Sequence, residues 1–97
     1  MTFVLYCLDK PGAAQIRLDN RAAHLEYAKA WGAAVAIGGP LLAEDGEGMI
    51  GSLIVLDVDS RAEVDKFVAS DPYGLAGLFE SVTVHPYKLA LNSLSGS

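Results

Sequence analysis

Two segments of this chain are apolar on both faces of any strand they could form. Residues 3–8 (Phe-Val-Leu-Tyr-Cys-Leu) and residues 50–58, which carry Ile50, Leu53, Ile54, Val55, Leu56 and Val58, place aliphatic, β-branched or aromatic side chains at odd and even positions alike. A half-solvated antiparallel strand alternates apolar with polar, so these two strands need cover on both sides. A chain of 97 residues has little material to supply it. Composition points the same way: 52% of the residues are hydrophobic and 20% charged, against roughly 25% charged in an ordinary soluble domain. Apolar surface in excess of the chain's own core calls for a second subunit.

The same figures exclude several classes. A disordered chain does not carry this much apolar material. With 12 acidic and 7 basic residues and a net charge of −5, a nucleic-acid platform is not expected. No run of about 18 apolar residues is present, so no membrane span is expected. The start has no basic region or small-residue cleavage site, so no signal peptide is expected. A lone cysteine, Cys7, cannot close an internal disulfide and fits a reducing compartment; the expected location is the cytoplasm.

The punctuation divides the chain into one domain over residues 1–91 and a small, polar tail over 92–97, expected to fray. The strand at 3–8 ends in the turn residues Asp9-Lys10-Pro11-Gly12. Residues 13–31 are helical, in one piece or in two divided at Asp19-Asn20, with Leu25, Ala28 and Trp31 as a core stripe and Gly32 at the C-terminus. A short strand at 34–37 is stopped by Gly38-Gly39-Pro40, and an acidic, glycine-bearing connection covers 41–48. After the strand at 50–58, Asp59-Ser60 caps a helix over 61–70 with Val64, Phe67 and Val68 inward. Asp71-Pro72-Tyr73-Gly74 breaks it, and a last strand spans 79–89. The order β-α-β-β-α-β defines an α+β, ferredoxin-like fold: a four-stranded antiparallel sheet with both helices on one face. The uncovered face is expected to pack on a second copy, giving an isologous homodimer.

That topology gathers particular ends at one pole: the end of the first strand, the first half of the first helix, the connection between strands two and three, the end of the second helix and the start of strand four. Arg17, Arg21 and His24 lie there at helical spacings of four and three. Gly38-Gly39-Pro40, Ser52 and Asp71-Pro72-Tyr73 fall at the same pole. A histidine exchanges protons near neutral pH, and a carboxylate on its second nitrogen fixes the tautomer and stabilises the imidazolium. His24 and Asp71 are therefore the candidate catalytic acid–base pair. Arg17 and Arg21 have two readings: forks for a small anionic substrate, or partners of Asp19, Glu26 or another surface acid. Glycines such as Gly39, with Pro40, let the backbone approach a ligand, and Ser52 and Tyr73 complete the candidate substrate-binding set.

Other candidates point elsewhere. His85 shares a strand face with Thr83 and Tyr87, away from that pole, and is read as facing the subunit interface or a cavity between sheets. Cys7 alternates with Phe3 and Leu5 and reads as a small buried apolar side chain. No ligand set supports a metal and no glycine-rich fingerprint supports a nucleotide, so neither metal nor organic cofactor is expected.

Arg17-x-x-x-Arg21-x-x-His24, Gly38-Gly39-Pro40, Gly51-Ser52, Asp71-Pro72-Tyr73 and Val84-His85-Pro86-Tyr87 together resemble the YciI-like (YCII-related) family over residues 2–89. The resemblance implies a dimeric ferredoxin-like α+β barrel with a site centred on a His–Asp pair, here His24 and Asp71, and with Ser52 near it. It also implies a cofactor-independent lyase or isomerase, similar to a dehydrochlorinase of chlorinated-aromatic breakdown or to muconolactone isomerase. The expected function is then proton-transfer-driven elimination or isomerisation of a small anionic, ring-derived substrate. The alternative is a non-catalytic dimeric module that binds a small ligand in the same pocket. A purely structural partner domain and a cofactor-free oxygenase are further readings on the same fold, since fold alone does not fix function.

Overall fold

The computed structural model describes residues 1–93. Its elements run β1 (Thr2–Asp9), α1 (Ala14–Ala30), a single 3-10 turn (Gly32–Ala34), β2 (Val35–Leu42), β3 (Met49–Asp57), α2 (Arg61–Ser70), the one-turn helix α3 (Pro72–Leu75) and β4 (Phe79–Tyr87). The four strands form one sheet in the order β2-β3-β1-β4, antiparallel throughout, as the ferredoxin-like arrangement requires. No helix among the described residues is long and apolar enough to cross a membrane.

Pleating sends alternate side chains to opposite faces. From β1, Phe3, Leu5 and Cys7 point into the helix layer, and β3 adds Ile54 and Leu56. Val64 and Phe67, three apart on α2, close the core from above. Tyr27 and Trp31 of α1 pack on Phe67 with ring centroids 5.2 Å away. A smaller cluster of Ala13, Tyr73 and Leu78 seals the pole where β1 ends and β4 begins.

On the opposite face lie Val4, Tyr6, Leu53, Val55, Thr83 and His85. Ile37 extends this uncovered apolar face on the β2 side. Tyr6 and Ile37 are 43% and 49% exposed, so nothing within the chain covers them. His85 stands here opposite Val4, exposed and far from the pole that gathers His24.

Several local expectations are corrected. Gly38-Gly39-Pro40 does not stop β2, which runs through it to Leu42. β2 is an edge strand, where proline's missing N–H is tolerated. Of the two readings open for residues 13–31 the structure has the first, with α1 as one helix: Asn20 donates to the Ile16 carbonyl and Gln15 to Asp19, so both side chains tie into the helix and neither opens a second one. Leu25 is 42% exposed, and Tyr27 enters the core in its place. Ser60 occupies the N-cap of α2 without a side-chain bond; its carbonyl accepts from Glu63. β4 ends at Tyr87, two residues early. Residues 94–97 of the expected tail lie outside the described residues.

Candidate functional site

The inner stripe of α1 reads Arg17, Arg21, His24, Ala28 and Trp31, a 4-3-4-3 spacing that keeps all five on one side of the helix. Arg17 is the single fully buried residue of α1. Opposite the stripe, β2 presents glycines and Pro40. Over Arg21, His24 and Ala28 the stripe carries no large apolar side chain, Gly38 and Gly39 carry none at all, and a cavity of about 130 Å³ is left between helix and sheet. An apolar cavity of about 150 Å³ takes up benzene, so this space is close in size to one six-membered ring.

His24 and Asp71, 47 residues apart, meet at 2.8 Å between Nδ1 and Oδ1. Their side chains are 12% and 4% exposed. A carboxylate only accepts, so Nδ1 carries a proton, and in the neutral imidazole Nε2 is then the nitrogen with the lone pair. Asp71 is held from behind, because the same Oδ1 accepts the Tyr73 backbone N–H at 3.0 Å. This is an N-cap: Asp71 opens α3, with Pro72 at its first position. The Asp-Pro pair that stops α2 thereby also aims a carboxylate at α1. The Tyr73 ring lies flat on the imidazole, centroids 4.1 Å apart and planes 13° apart.

Arg17 is already paired. Its Nε and a terminal nitrogen donate to the two Asp9 oxygens at 2.7 and 2.8 Å, and that nitrogen also donates to Ser52 Oγ at 3.0 Å. Its charged head sits 4.7 Å from the Tyr73 ring centroid. Burial pulls the guanidinium's pKa down, but the Asp9 bonds and charge outweigh it and hold it above its ordinary value. The fork proposed for a substrate is therefore filled by Asp9. Ser52 accepts from Arg17, which leaves its own hydroxyl proton to donate. Arg21 is exposed, lines the cavity and makes no hydrogen bond or ion pair among the described residues.

Burial raises the Tyr73 phenol, with Arg17 pulling the other way. Cys7 lies deeper; burial, then the charges of Asp71 and Asp9, push its thiol up to about 12 against the pull of Arg17. It is a neutral core group and no nucleophile. Among the described residues no group of three His, Cys, Asp or Glu could hold a metal ion.

The structure thus brings Arg17, Arg21, His24, Gly39, Pro40, Ser52 and Tyr73 to one cavity wall, with Asp71 behind His24. Sequence reasoning missed Asp9, although an acid ending a strand at the same pole was the available signal. It also missed the apolar wall of Val35, Met49, Ile54 and Phe67. A histidine fixed by a carboxylate, an arginine with no hydrogen bond or ion pair among the described residues and a ring-sized cavity on the helix side of a ferredoxin-like sheet define a small α+β protein with one pocket wall that is part polar and part apolar.

Comparison with known proteins narrows this class. The family model of the YCII-related domain matches residues 1–88, and the chain belongs to that family. Protein YciI of Escherichia coli O6:H1 is 30% identical over 95 residues, which cover 91% of this chain and 97% of that protein; Protein YciI of Shigella flexneri matches equally. Among solved structures, 5-chloro-2-hydroxyhydroquinone dehydrochlorinase (TftG) from Burkholderia phenoliruptrix AC1100, in complex with 2,5-dihydroxybenzoquinone, is 39% identical with a TM-score of 0.85, covering 93% of this chain and 96% of that one. An Arabidopsis thaliana protein at 16% identity and TM-score 0.50, covering 96% of this chain and 98% of its own, shares the fold alone.

Proposed function

We propose that this protein is a small-molecule enzyme in which His24 moves a proton on a small, anionic, oxygenated ring and drives an elimination or an isomerisation. The observation that carries the reading is the 2.8 Å bond from His24 Nδ1 to Asp71 at the wall of a ring-sized cavity. Its support from outside is the likeness to a dehydrochlorinase whose bound compound is a dihydroxybenzoquinone.

The base is Nε2 of His24. It takes a proton from a ring hydroxyl or from a carbon beside a ring carbonyl, and Asp71 stabilises the imidazolium that forms. The electron pair of the broken bond enters the ring. In an elimination from the keto form of the ring, in which the carbon that bears the leaving group also bears a hydrogen, it expels the leaving group as an anion, and the imidazolium then returns its proton to water. In an isomerisation the imidazolium delivers the proton to a different ring atom. Arg21 faces the ring oxygen that carries negative charge, and the Ser52 hydroxyl donates to a second oxygen. Gly39, Pro40 and Tyr73 shape the wall, and proton transfer of this kind is complete without a metal or organic cofactor.

In the same reading residues 1–91 act as one unit, and the protein is a cytoplasmic homodimer joined through the open sheet face, with no nucleic-acid partner. The apolar Val4, Tyr6 and Ile37 support the dimer, and a net charge of −5 argues against nucleic acid. Val4→Asp and Tyr6→Lys together are expected to halve the mass seen by analytical ultracentrifugation; an unchanged mass refutes the sheet-to-sheet contact.

The catalytic test uses 5-chloro-2-hydroxyhydroquinone and chloride release. His24→Ala and Asp71→Asn, folded by circular dichroism, are each expected to lower kcat/KM by about 10²–10⁴. A loss of a few-fold refutes the acid–base role, and tight binding without turnover assigns the chain to the ligand-binding alternative.

A further inference from the structure

Glycine in a strand interior has a cost: it packs nothing and loses more chain entropy than other residues on folding. Where it persists, a backbone twist, a close neighbour or a ligand accounts for it. Of the glycines in the β2–β3 hairpin strands, Gly51 has a packing reason, because a Cβ there would run into the Cys7 carbonyl oxygen. Gly39 meets nothing within 4 Å. Gly38 has neither a steric nor a backbone reason. Its φ is not positive, unlike those of Gly12, Gly32, Gly46 and Gly77. The nearest atoms to a Cβ would be Ile54 Cγ1 at 3.7 Å and Val35 Cγ1 at 3.8 Å, ordinary contacts that need no adjustment.

Ile54 and Val35 both line the cavity, so a side chain at position 38 would stand in its wall. The register gives the position. Pro40 pairs with Ser52 at the end that holds His24 and the arginines, whereas Gly38 pairs with Ile54. Two residues of strand put Gly38 about 7 Å along β2 from that end, at the exposed edge of the sheet. The apolar part of the lining is Leu25, Ala28, Val35, Met49, Ile54 and Phe67, and two of these, Val35 and Ile54, flank Gly38. The cavity therefore has a polar end that reads ring oxygens and an apolar end whose size depends on the bare Cα of residue 38.

We propose that Gly38 is a specificity-determining residue: its missing side chain keeps the apolar end open for one apolar ring substituent the size of a methyl group or a chlorine atom. The inference rests on the proposed function and narrows its substrate class to a single ring with an oxygenated edge and an apolar edge. The site reads the size and apolarity of the substituent, so chlorine and methyl serve alike.

Calorimetric binding of 2,5-dihydroxybenzoquinone and its 3-chloro and 3-methyl derivatives tests it with wild type, Gly38→Ala and Gly38→Val. Wild type is expected to bind both substituted rings about 10-fold tighter than the parent, and Gly38→Val to erase that preference while holding the parent ring within about 3-fold, the scale of one methyl-sized group in an apolar pocket. Gly38→Ala falls between and melts no lower than wild type. The proposal is overturned if Gly38→Val keeps the preference, if all three rings weaken alike, or if Gly38→Ala melts well below wild type, which would give the glycine a structural role. Rings that bind wild type without regard to the substituent overturn the proposal alone. Failure of every ring to bind wild type overturns the proposed function and this inference with it.

Discussion

Replacing Asp9 with alanine strands a charge inside the protein. Arg17 is 3% exposed, and its two shortest bonds, at 2.7 and 2.8 Å, both end on Asp9. Without that carboxylate the guanidinium keeps Ser52 Oγ and the Tyr73 ring, neither of them charged. Removing one partner of a buried ion pair costs about 3–5 kcal/mol. For a domain of this size each kcal/mol lowers Tm by about 4–8 °C, so the fall is roughly 12–40 °C. Against the total of about 5–15 kcal/mol that holds a small domain together, Asp9→Ala lies near the limit of folding. Arg17→Met leaves the Asp9 carboxylate, whose side chain is 7% exposed, without its partner and is also strongly destabilising. The double variant removes both charges, and methionine's flexible chain fills the path of the arginine stem. Its stability is expected to exceed the sum of the single losses by about 2–3 kcal/mol. Urea denaturation followed through the fluorescence of Trp31, the one tryptophan of the chain, measures all three. A cost below about 1 kcal/mol for Asp9→Ala, or strict additivity, would sink the view of Arg17 as a charge locked to β1, since a buried pair must couple.

Two further outcomes follow from the residues beneath the cavity. Gly51→Ala forces β1 and β3 apart at the Cys7 carbonyl and is expected to cost about 1–3 kcal/mol or more in the same denaturation assay; an unchanged midpoint contradicts the close approach. Cys7 keeps its proton in the fold up to about pH 12, whereas the unfolded thiol ionises near its ordinary 9.0. The folded state then binds more protons between those values, so this contribution is whole below pH 9 and falls by about 1.4 kcal/mol per unit above it. Compared with Cys7→Ala, the wild-type protein should lose its relative advantage as pH rises from 9 to 11; a constant difference between the two denaturation curves refutes the assignment.

The His24–Asp71 contact was legible before any coordinates because it follows from topology. A βαββαβ chain delivers the first half of α1 and the end of α2 to one pole whatever the details of packing, so two residues 47 positions apart could be matched. Where neighbours in sequence competed with neighbours in space, the sequence misled. For Arg17 surface acids such as Asp19 looked like partners, yet the fork went to Asp9 at the end of β1. Asp19 binds Gln15 instead. Gly38-Gly39-Pro40 carries turn chemistry, but pairing with β3 on an edge strand outweighed it, because a proline costs an edge ladder little. The cavity was hidden for a different reason. It is made by the meeting of two deficits, a helix stripe of Arg17, Arg21, His24 and Ala28 without large apolar side chains, and a strand with a bare residue at Gly38. Each reads separately as weak helix amphipathicity or as a turn. Only once the register sets Gly38 across from Ile54 beneath that stripe do they become one absence of bulk. Dense packing is the rule in protein interiors, so two such deficits facing each other are what leaves the cavity between helix and sheet.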